Sequence, residues 1–237
     1  MLRPRVRARL AHEKEERRQA LLAAAAGLLE ARGFLDLTMA DLAREAGLGK
    51  GTTYIYFNTK EEIFLELAEV RLLGWFEALD EGLRPGAGGL FPEPMAPEAL
   101  AALARGAYDS QPGLGSLLAL LHTVLARNVD PDAALRFHAF LADRCLRTGR
   151  LLEHRLPFLG DGEGAALVLR IHALALGAWQ VAHPPARVRA LFQAPGLELL
   201  DVSFGPMFET SLQALVRGLE VSRDGGRGGP GAAGPGG

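Results

Sequence analysis

Apolar residues recur at helical spacing along most of the chain, and no stretch sustains the alternation that is typical of strands. The first such pattern covers about 13–32 and ends at Gly33. A long helix is predicted over 61–83 and a short one over 186–193, and prolines mark most of the other boundaries. The remaining predicted helices cover about 98–109, 113–128, 131–156, 162–182 and 206–221. The pattern predicts an all-α protein.

Residues 38–60 have a different pattern, because two short helices are predicted on either side of a tight turn. Thr38 followed by Asp41 forms a capping box for a helix that begins at Met39, and Gly47 can adopt the left-handed conformation that ends it. Small, hydroxyl-bearing and basic residues then replace the leucines of a core helix over 50–56. A surface of this kind suits a polar, anionic partner.

The charge is unevenly distributed along the 237 residues, although the net charge is only -2. Residues 1–60 carry eleven basic and seven acidic side chains, a net charge of +4, and the remainder carries -6. A basic N-terminal part is compatible with nucleic-acid binding, which the total charge alone would not indicate.

Other classes of function find little support in the sequence. The single cysteine, Cys145, cannot form an internal disulfide, and neither a signal peptide nor a long apolar run is present. We expect a cytoplasmic protein without a membrane partner. No metal-binding spacing, nucleotide-binding glycine loop or nucleophile motif occurs, so we expect no enzyme activity, no cofactor and no metal.

Residues 14–68 resemble the DNA-binding head of TetR-family repressors, through Arg32-Gly33-Phe34, the Thr38 to Gly47 helix, Lys50-Gly51-Thr52, Tyr54 to Phe57 and Lys60-Glu61-Glu62. The resemblance implies an all-α fold with an N-terminal three-helix helix-turn-helix domain, joined by a long helix to a helical-bundle domain for ligand binding and dimerisation. The expected divisions are a flexible basic arm, the DNA-binding domain, the ligand-binding and dimerisation domain, and a disordered Gly/Pro tail, at residues 1–12, 13–60, 61–223 and 224–237.

The second helix of a helix-turn-helix enters the major groove with its first residues near the bases. Lys50 can donate to guanine acceptors, Gly51 permits close approach, and the Tyr hydroxyls suit phosphate contact, although either Tyr could instead belong to the core. Lys60, at the start of the long helix, can hold a phosphate together with free amides. The predicted DNA-binding residues are Thr38, Lys50, Gly51, Thr52, Thr53, Tyr54, Tyr56 and Lys60.

The resemblance further implies a homodimer formed by helices 162–182 and 206–221, whose apolar residues could equally be core. The apolar candidates are Leu167, Ile171, Leu174, Trp179, Phe208, Leu212, Leu215 and Leu219. A largely apolar small-molecule effector is expected in the body, and the residues predicted to contact it are His122, Phe137, Phe140 and His172. Each of these four has packing as its alternative role.

The function that follows is a ligand-responsive transcriptional regulator, a repressor that binds a palindromic operator in double-stranded DNA as a homodimer and is released by the effector. Two alternatives stay open at this point. One is a helical small-molecule-binding protein without specific DNA binding, and the other is a DNA-binding protein that needs no ligand.

Overall fold

A computed structural model of the chain describes residues 4–84, 93–123 and 129–227, apart from the side chains of residues 4–10, 122–123 and 224–227. The all-α prediction is confirmed, and the described residues contain no strand. Two 3-10 turns, Ala190–Gln193 and Glu198–Leu200, follow the ninth helix. The helices are α1 (Pro4–Arg32), α2 (Met39–Glu45), α3 (Lys50–Thr53), α4 (Lys60–Leu83), α5 (Pro97–Asp109), α6 (Leu114–Thr123), α7 (Pro131–Arg155), α8 (Glu163–Ala182), α9 (Ala186–Arg189) and α10 (Phe204–Arg227).

Both ends of the described chain are more helical than the sequence pattern predicts. The prediction of a flexible arm over residues 1–12 is wrong for 4–12, because α1 begins at Pro4. Proline is tolerated in the first turn of a helix, and no breaker separates it from the strongly helical residues that follow. At the other end α10 continues to Arg227, past the predicted start of the tail at 224. The Gly- and Pro-rich residues 85–97 are predicted to form a loop. Residues 85–92 of that loop and tail residues 228–237 lie outside the described residues.

The chain forms two compact units, and the boundaries between them fall within α4, between α5 and α6, and within α7. The first unit comprises Met1–Gly74 and Gln111–Phe140, and the second comprises Trp75–Ser110 and Leu141–Gly237. A continuous apolar cluster fills the first unit, where the rings of Phe34 and Phe64 meet edge to face at 5.1 Å. Its buried side chains come from α1, α2, α4 and α6, from the loop between α1 and α2 and from the turn after α3, so the two short helices depend on the long ones for their core.

In the second unit α10 packs against α5 and α8. The ring of Tyr108 lies 4.6 Å from that of Phe204, which stacks in turn on Phe208 at 5.5 Å. Two glycines allow the backbones of α7 and α8 to touch: a Cβ on Gly164 would lie 2.0 Å from the carbonyl oxygen of Gly149. Any side chain at that crossing would force the helices apart.

The structure divides the residues predicted for dimerisation into two groups. Four of them, Leu167, Ile171, Phe208 and Leu212, are wrong as dimer contacts, because they are buried within the second unit. The other four, Leu174, Trp179, Leu215 and Leu219, are half-buried. Few polar side chains interrupt the apolar residues of α8, so helical periodicity alone could not separate its inward from its outward residues.

Candidate nucleic-acid interface

A reciprocal capping box begins α2, as the sequence predicts. The hydroxyl of Thr38 accepts a hydrogen bond from the amide of Asp41 at 3.2 Å, and the carboxylate of Asp41 accepts one from the amide of Thr38 at 3.1 Å. The Thr38 hydroxyl also donates to the same carboxylate at 2.6 Å. Two amides that the helix leaves without partners are thereby satisfied, which fixes the direction in which α2 leaves the preceding loop.

The Asp41 carboxylate also ties α2 to the end of α1. It accepts hydrogen bonds from Thr38 and, at 2.6 Å, from Arg44, and the guanidinium of Arg32 lies 3.3 Å away. These donors stabilise the charged form, the Thr38 hydrogen bond most of all, and hold the pKa of Asp41 well below its usual range. The short helix α2 therefore depends on a charge network as well as on its apolar side.

The turn between α2 and α3 is a Schellman motif. The amide of Leu48 donates to the carbonyl of Ala43 at 2.8 Å, and the amide of Gly47 donates to that of Arg44 at 3.1 Å. Gly47 has a φ of +67°, a conformation that side chains with a Cβ disfavour. This turn holds α3 in a defined orientation against α2.

The four residues of α3 begin after Gly49, whose carbonyl accepts the amides of Thr52 and Thr53 at 2.9 and 3.2 Å. Gly49 has no side chain to cap the helix. Lys50 and Gly51 are exposed, and Thr52 is half-buried. A Cβ on Gly51 would meet no atom within 4 Å, so nothing inside the described chain requires a glycine there.

Around α3, exposed and buried side chains are sharply divided. Tyr54 is 47% exposed and Ile55 is 70% exposed, while Phe57 belongs to the apolar cluster. Tyr56 is half-buried against the same cluster, so it fits the alternative of a core residue better than Tyr54 does. We did not predict a role for Ile55, because an isolated aliphatic residue on so short a helix has no periodicity that would place it outside.

Two predicted contact residues turn inward. The side chain of Thr53 is completely buried, and its hydroxyl lies 3.5 Å from the carbonyl oxygen of Gly49. The predicted DNA contact of Thr53 is therefore wrong. A helix of four residues must bury one side to be held at all, and Thr53 is on that side.

Lys60 is the second predicted contact residue whose side chain bonds within the chain. Its ammonium group donates to the backbone carbonyls of Phe34 at 3.0 Å and Leu37 at 2.7 Å, and it lies 4.3 Å from the centre of the Phe34 ring. The ammonium group thereby supplies a hydrogen-bond donor to two carbonyls in the loop between α1 and α2. The ammonium group thus joins the start of α4 to that loop, and the phosphate contact of the Lys60 side chain stays a prediction.

The sequence also predicts a capping box at the start of α4, where Thr59 is followed by Glu62, and this box is only half formed. The Thr59 hydroxyl accepts the amide of Glu62 at 3.2 Å, but the Glu62 carboxylate accepts the amide of Asn58 at 2.8 Å instead of that of Thr59. The first turn of α4 is still fixed by both side chains.

The predicted effector residues are not gathered in one unit. Phe137 is buried in the first unit, with its ring 6.4 Å from that of Phe140, while the half-buried His172 belongs to the second unit. His122 lies in α6, and its side chain is outside the described residues. The effector contacts stay a prediction.

The first unit has a cavity of about 510 Å³, which borders the turn after α3 and is lined by none of the four predicted effector residues. On one wall Arg18 makes a two-pronged ion pair with Glu66. Burial, followed by the charge of Glu66, raises the pKa of Glu69 on the same wall. Because both acidic and basic side chains line it, the cavity does not indicate a ligand of one charge.

The described side chains include no group of three or more His, Cys, Asp or Glu residues placed to hold a metal ion. Cys145 is buried, and burial raises the pKa of its thiol, which disfavours the reactive thiolate.

Two protein-family models match consecutive parts of the chain. Residues 21–67 match the family model described as bacterial regulatory proteins, tetR family, and residues 69–223 match the one described as the C-terminal domain of tetracyclin repressor-like proteins. The second match alone covers more than half of the chain.

Individual relatives match less than a third of this chain. The uncharacterized HTH-type transcriptional regulator YfiR of Bacillus subtilis is 37% identical over 71 residues, which cover 30% of this chain and 31% of that protein. The HTH-type transcriptional regulator EthR of Mycobacterium tuberculosis is 39% identical over 66 residues, or 28% of this chain and 31% of EthR. The chain thus matches less than a third of the length of these curated relatives.

The solved structures that resemble the chain include BioQ of Mycobacterium smegmatis, which is 21% identical, with 85% of this chain and 96% of BioQ covered and a TM-score of 0.47. The family assignment rests on the two family models, which together extend from the first unit into the second. The chain belongs to the TetR family of bacterial transcriptional regulators.

Proposed function

We propose that the chain is a repressor that binds a palindromic operator in double-stranded DNA as a homodimer, with α3 in the major groove. One observation carries the proposal: the first turn of α3 presents Lys50, Gly51 and Thr52 outward, on a frame fixed by the capping box and the Schellman turn. A polar helix that is rigidly held, yet contributes little to the core, is suited to reading another molecule.

Each exposed group has a distinct role in this proposal. The Lys50 ammonium contacts a guanine edge or the neighbouring phosphate, and the Thr52 hydroxyl and methyl group contact a base. Gly51 allows the backbone to approach the groove closely, since the chain itself leaves that space open. The Tyr54 hydroxyl contacts a phosphate, and the first backbone amides of α4 offer an anion a second site.

The outward sides of α8 and α10 form the proposed dimer interface. Only 33% of the most apolar stretch of α8 is buried within the chain. By length and composition alone this helix could cross a membrane, but a helix covered by a second protomer has the same composition. Leu169 is 60% exposed and Val181 is 49% exposed, and Gly177 on α8 and Gly218 on α10 leave open space for a close partner helix.

A largely apolar effector is proposed to bind the second unit and to favour a dimer whose two α3 helices no longer match the operator spacing. Tyr108 is a candidate contact that the sequence pattern did not single out. Its hydroxyl is buried without a hydrogen-bond partner among the described residues, and burial raises its pKa strongly. A buried hydroxyl without a partner is costly, so a ligand that accepts a hydrogen bond from it would bind with a gain. Such a regulator acts in the cytoplasm.

The experiment is a fluorescence-anisotropy titration of DNA fragments from upstream of the chain's own gene, over a series of salt concentrations. We expect sequence-selective binding whose affinity falls steeply with salt. Lys50→Ala should weaken selective binding by roughly tenfold, and Gly51→Val should weaken it at least as much, because the added side chain meets DNA and not protein. Arg150→Ala removes an equally exposed positive charge from α7 in the second unit and serves as the matched control.

Unchanged selective binding in both the Lys50 and Gly51 variants would reject α3 as the reading helix. A wild-type dimer with no selective DNA binding would instead favour a small-molecule-binding protein. Selective binding that no apolar metabolite alters would favour a DNA-binding protein without an effector.

A further inference from the structure

A segment between α8 and α10 exposes four leucines within ten residues. Residues 186–200, called the leucine segment below, comprise α9 and the two 3-10 turns. The exposed fractions are 60% for Leu191, 39% for Leu197, 75% for Leu199 and 43% for Leu200. No residue from 183 to 200 is buried. Exposed apolar residues gathered in this way mark a surface that another molecule covers.

The leucine segment is nevertheless folded. The amides of Val188, Ala194, Leu197 and Leu200 donate to carbonyls three residues earlier, at 2.8 to 3.1 Å. At its base, Arg189 donates to the carbonyl of Ala182 at the end of α8, at 2.5 Å. The backbone thus holds the leucines in place without an apolar core beneath them, which lowers the entropy cost of docking them on a partner.

Charge favours a second copy of the chain as that partner. The leucine segment carries Arg187 and Arg189 in its first half and Glu198 in its second, and Asp201 follows it directly, so these four charges cancel. DNA or an anionic membrane surface would gain nothing from such a segment. Around a two-fold axis the basic half of one copy meets the acidic half of the other, and no ion pair among the described residues uses Arg187, Glu198 or Asp201.

The position of the leucine segment also favours a second copy of the chain as its partner. It joins α8 directly to α10, and Val181, 49% exposed, lies just before it at the end of α8. The exposed leucines therefore continue along the chain from the proposed dimer surface. We infer that the leucine segment packs on the second copy of the chain and is buried in the homodimer. The inference rests on the proposed homodimer.

The test places the photo-cross-linker benzoylphenylalanine at position 199 of the full-length chain, after light scattering has established the oligomeric state. Irradiation should give a covalent product of twice the 25.3 kDa protomer mass on a denaturing gel. The same probe at Leu35, which is 80% exposed in the first unit, is the control and should give none. The double variant Leu191→Asp/Leu199→Asp should raise the dimer dissociation constant by roughly 100-fold, and Leu135→Asp, also at an exposed leucine, should not.

The outcomes separate the two proposals. A wild-type chain that is a monomer at micromolar concentration contradicts the homodimer, and the inference with it. A wild-type dimer without an intermolecular product from position 199 overturns the inference alone and leaves the α8 and α10 interface standing. A product formed only with a different protein, in a lysate, overturns it as well, because the committed partner is a second copy.

Discussion

The exposed surface of α3 and the outward side of α8 differ in how much their residues indicate about a binding partner. The surface of α3 carries an ammonium group, a hydroxyl and a bare backbone, which together suit a phosphate backbone and base edges. The outward side of α8 carries Leu169, Val181 and Gly177, which specify only that something apolar must cover them. Polar exposed residues thus identify the chemistry of a partner, whereas apolar ones identify only its existence.

The two surfaces are also held in place by different forces. α3 has four residues, and hydrogen bonds from its neighbours fix it: the capping box at Thr38, the turn at Gly47 and the ammonium of Lys60. α8 has twenty residues and is fixed by packing, including the contact of Gly164 with the backbone of α7. Single hydrogen bonds contribute about 1 kcal/mol each, so the frame of α3 should respond gradually to substitution.

The largest effect is expected on the apolar surface. Leu169→Glu would place one carboxylate from each protomer in the proposed interface, where an unpaired charge costs several kcal/mol. We expect the dimer dissociation constant to rise by at least about 100-fold and operator affinity to fall with it, because one head binds far more weakly than two linked heads. Analytical ultracentrifugation measures the first quantity and anisotropy the second. Leu135→Glu, at a 70% exposed leucine of the first unit, is the control, and a Leu169→Glu chain that stays dimeric would place the interface elsewhere.

The next effect separates a structural lysine from a contact lysine. Lys60→Ala removes two charge-assisted hydrogen bonds and a ring contact, and should lower the free energy of unfolding by about 2 kcal/mol. Urea unfolding measures this loss, with the exposed Lys14→Ala as the control. The salt slope of operator binding should not change, because no phosphate contact is lost.

Lys50→Ala should do the reverse: little change in stability, and a salt slope smaller by about one if its ammonium contacts a phosphate. A smaller salt slope in the Lys60 variant would restore the phosphate contact that its geometry argues against.

A smaller effect comes from the capping box. Thr38→Ala should cost about 1 kcal/mol, as the loss of a helix cap usually does. The pKa of Asp41 is lower in the folded than in the unfolded chain, so the unfolded chain binds more protons as the pH falls below the usual aspartate pKa. The stabilisation by Asp41 is therefore complete above about pH 5 and is lost progressively from about pH 4 downward.

Asp41→Asn tests the source of this acid sensitivity. Circular dichroism melts between pH 3 and 7 should give the wild type a steeper decrease in stability at the acid end than the variant. Glu45→Gln, which alters an exposed carboxylate of the same helix, is the matched control. Equal acid sensitivity in the wild type and the Asp41 variant would show that the network contributes little.

What the sequence predicts well is local. Thr38 and Gly47 place the ends of α2, and Pro97 and Pro131 place the starts of α5 and α7, because caps and proline act within a few residues. The directions of Thr53 and Lys60 could not be predicted, since they depend on where the four residues of α3 lie against the core. Tyr108 was missed for the same reason: its unpaired hydroxyl is a property of burial, which a single tyrosine in a helical pattern does not disclose.

The smallest effect is expected at Thr53, and it gives the sharpest test of which side of α3 faces outward. Thr52→Val and Thr53→Val make the same change, hydroxyl to methyl, at adjacent residues. Because the Thr53 hydroxyl is buried with only a long 3.5 Å contact to Gly49, its replacement should change the free energy of unfolding by less than about 1 kcal/mol and leave operator binding unchanged. Thr52→Val should leave stability unchanged and weaken selective binding several-fold. Parallel melts and anisotropy titrations of both variants decide the matter: weakened operator binding in a stable Thr53→Val chain would mean that α3 turns on its axis when it meets DNA.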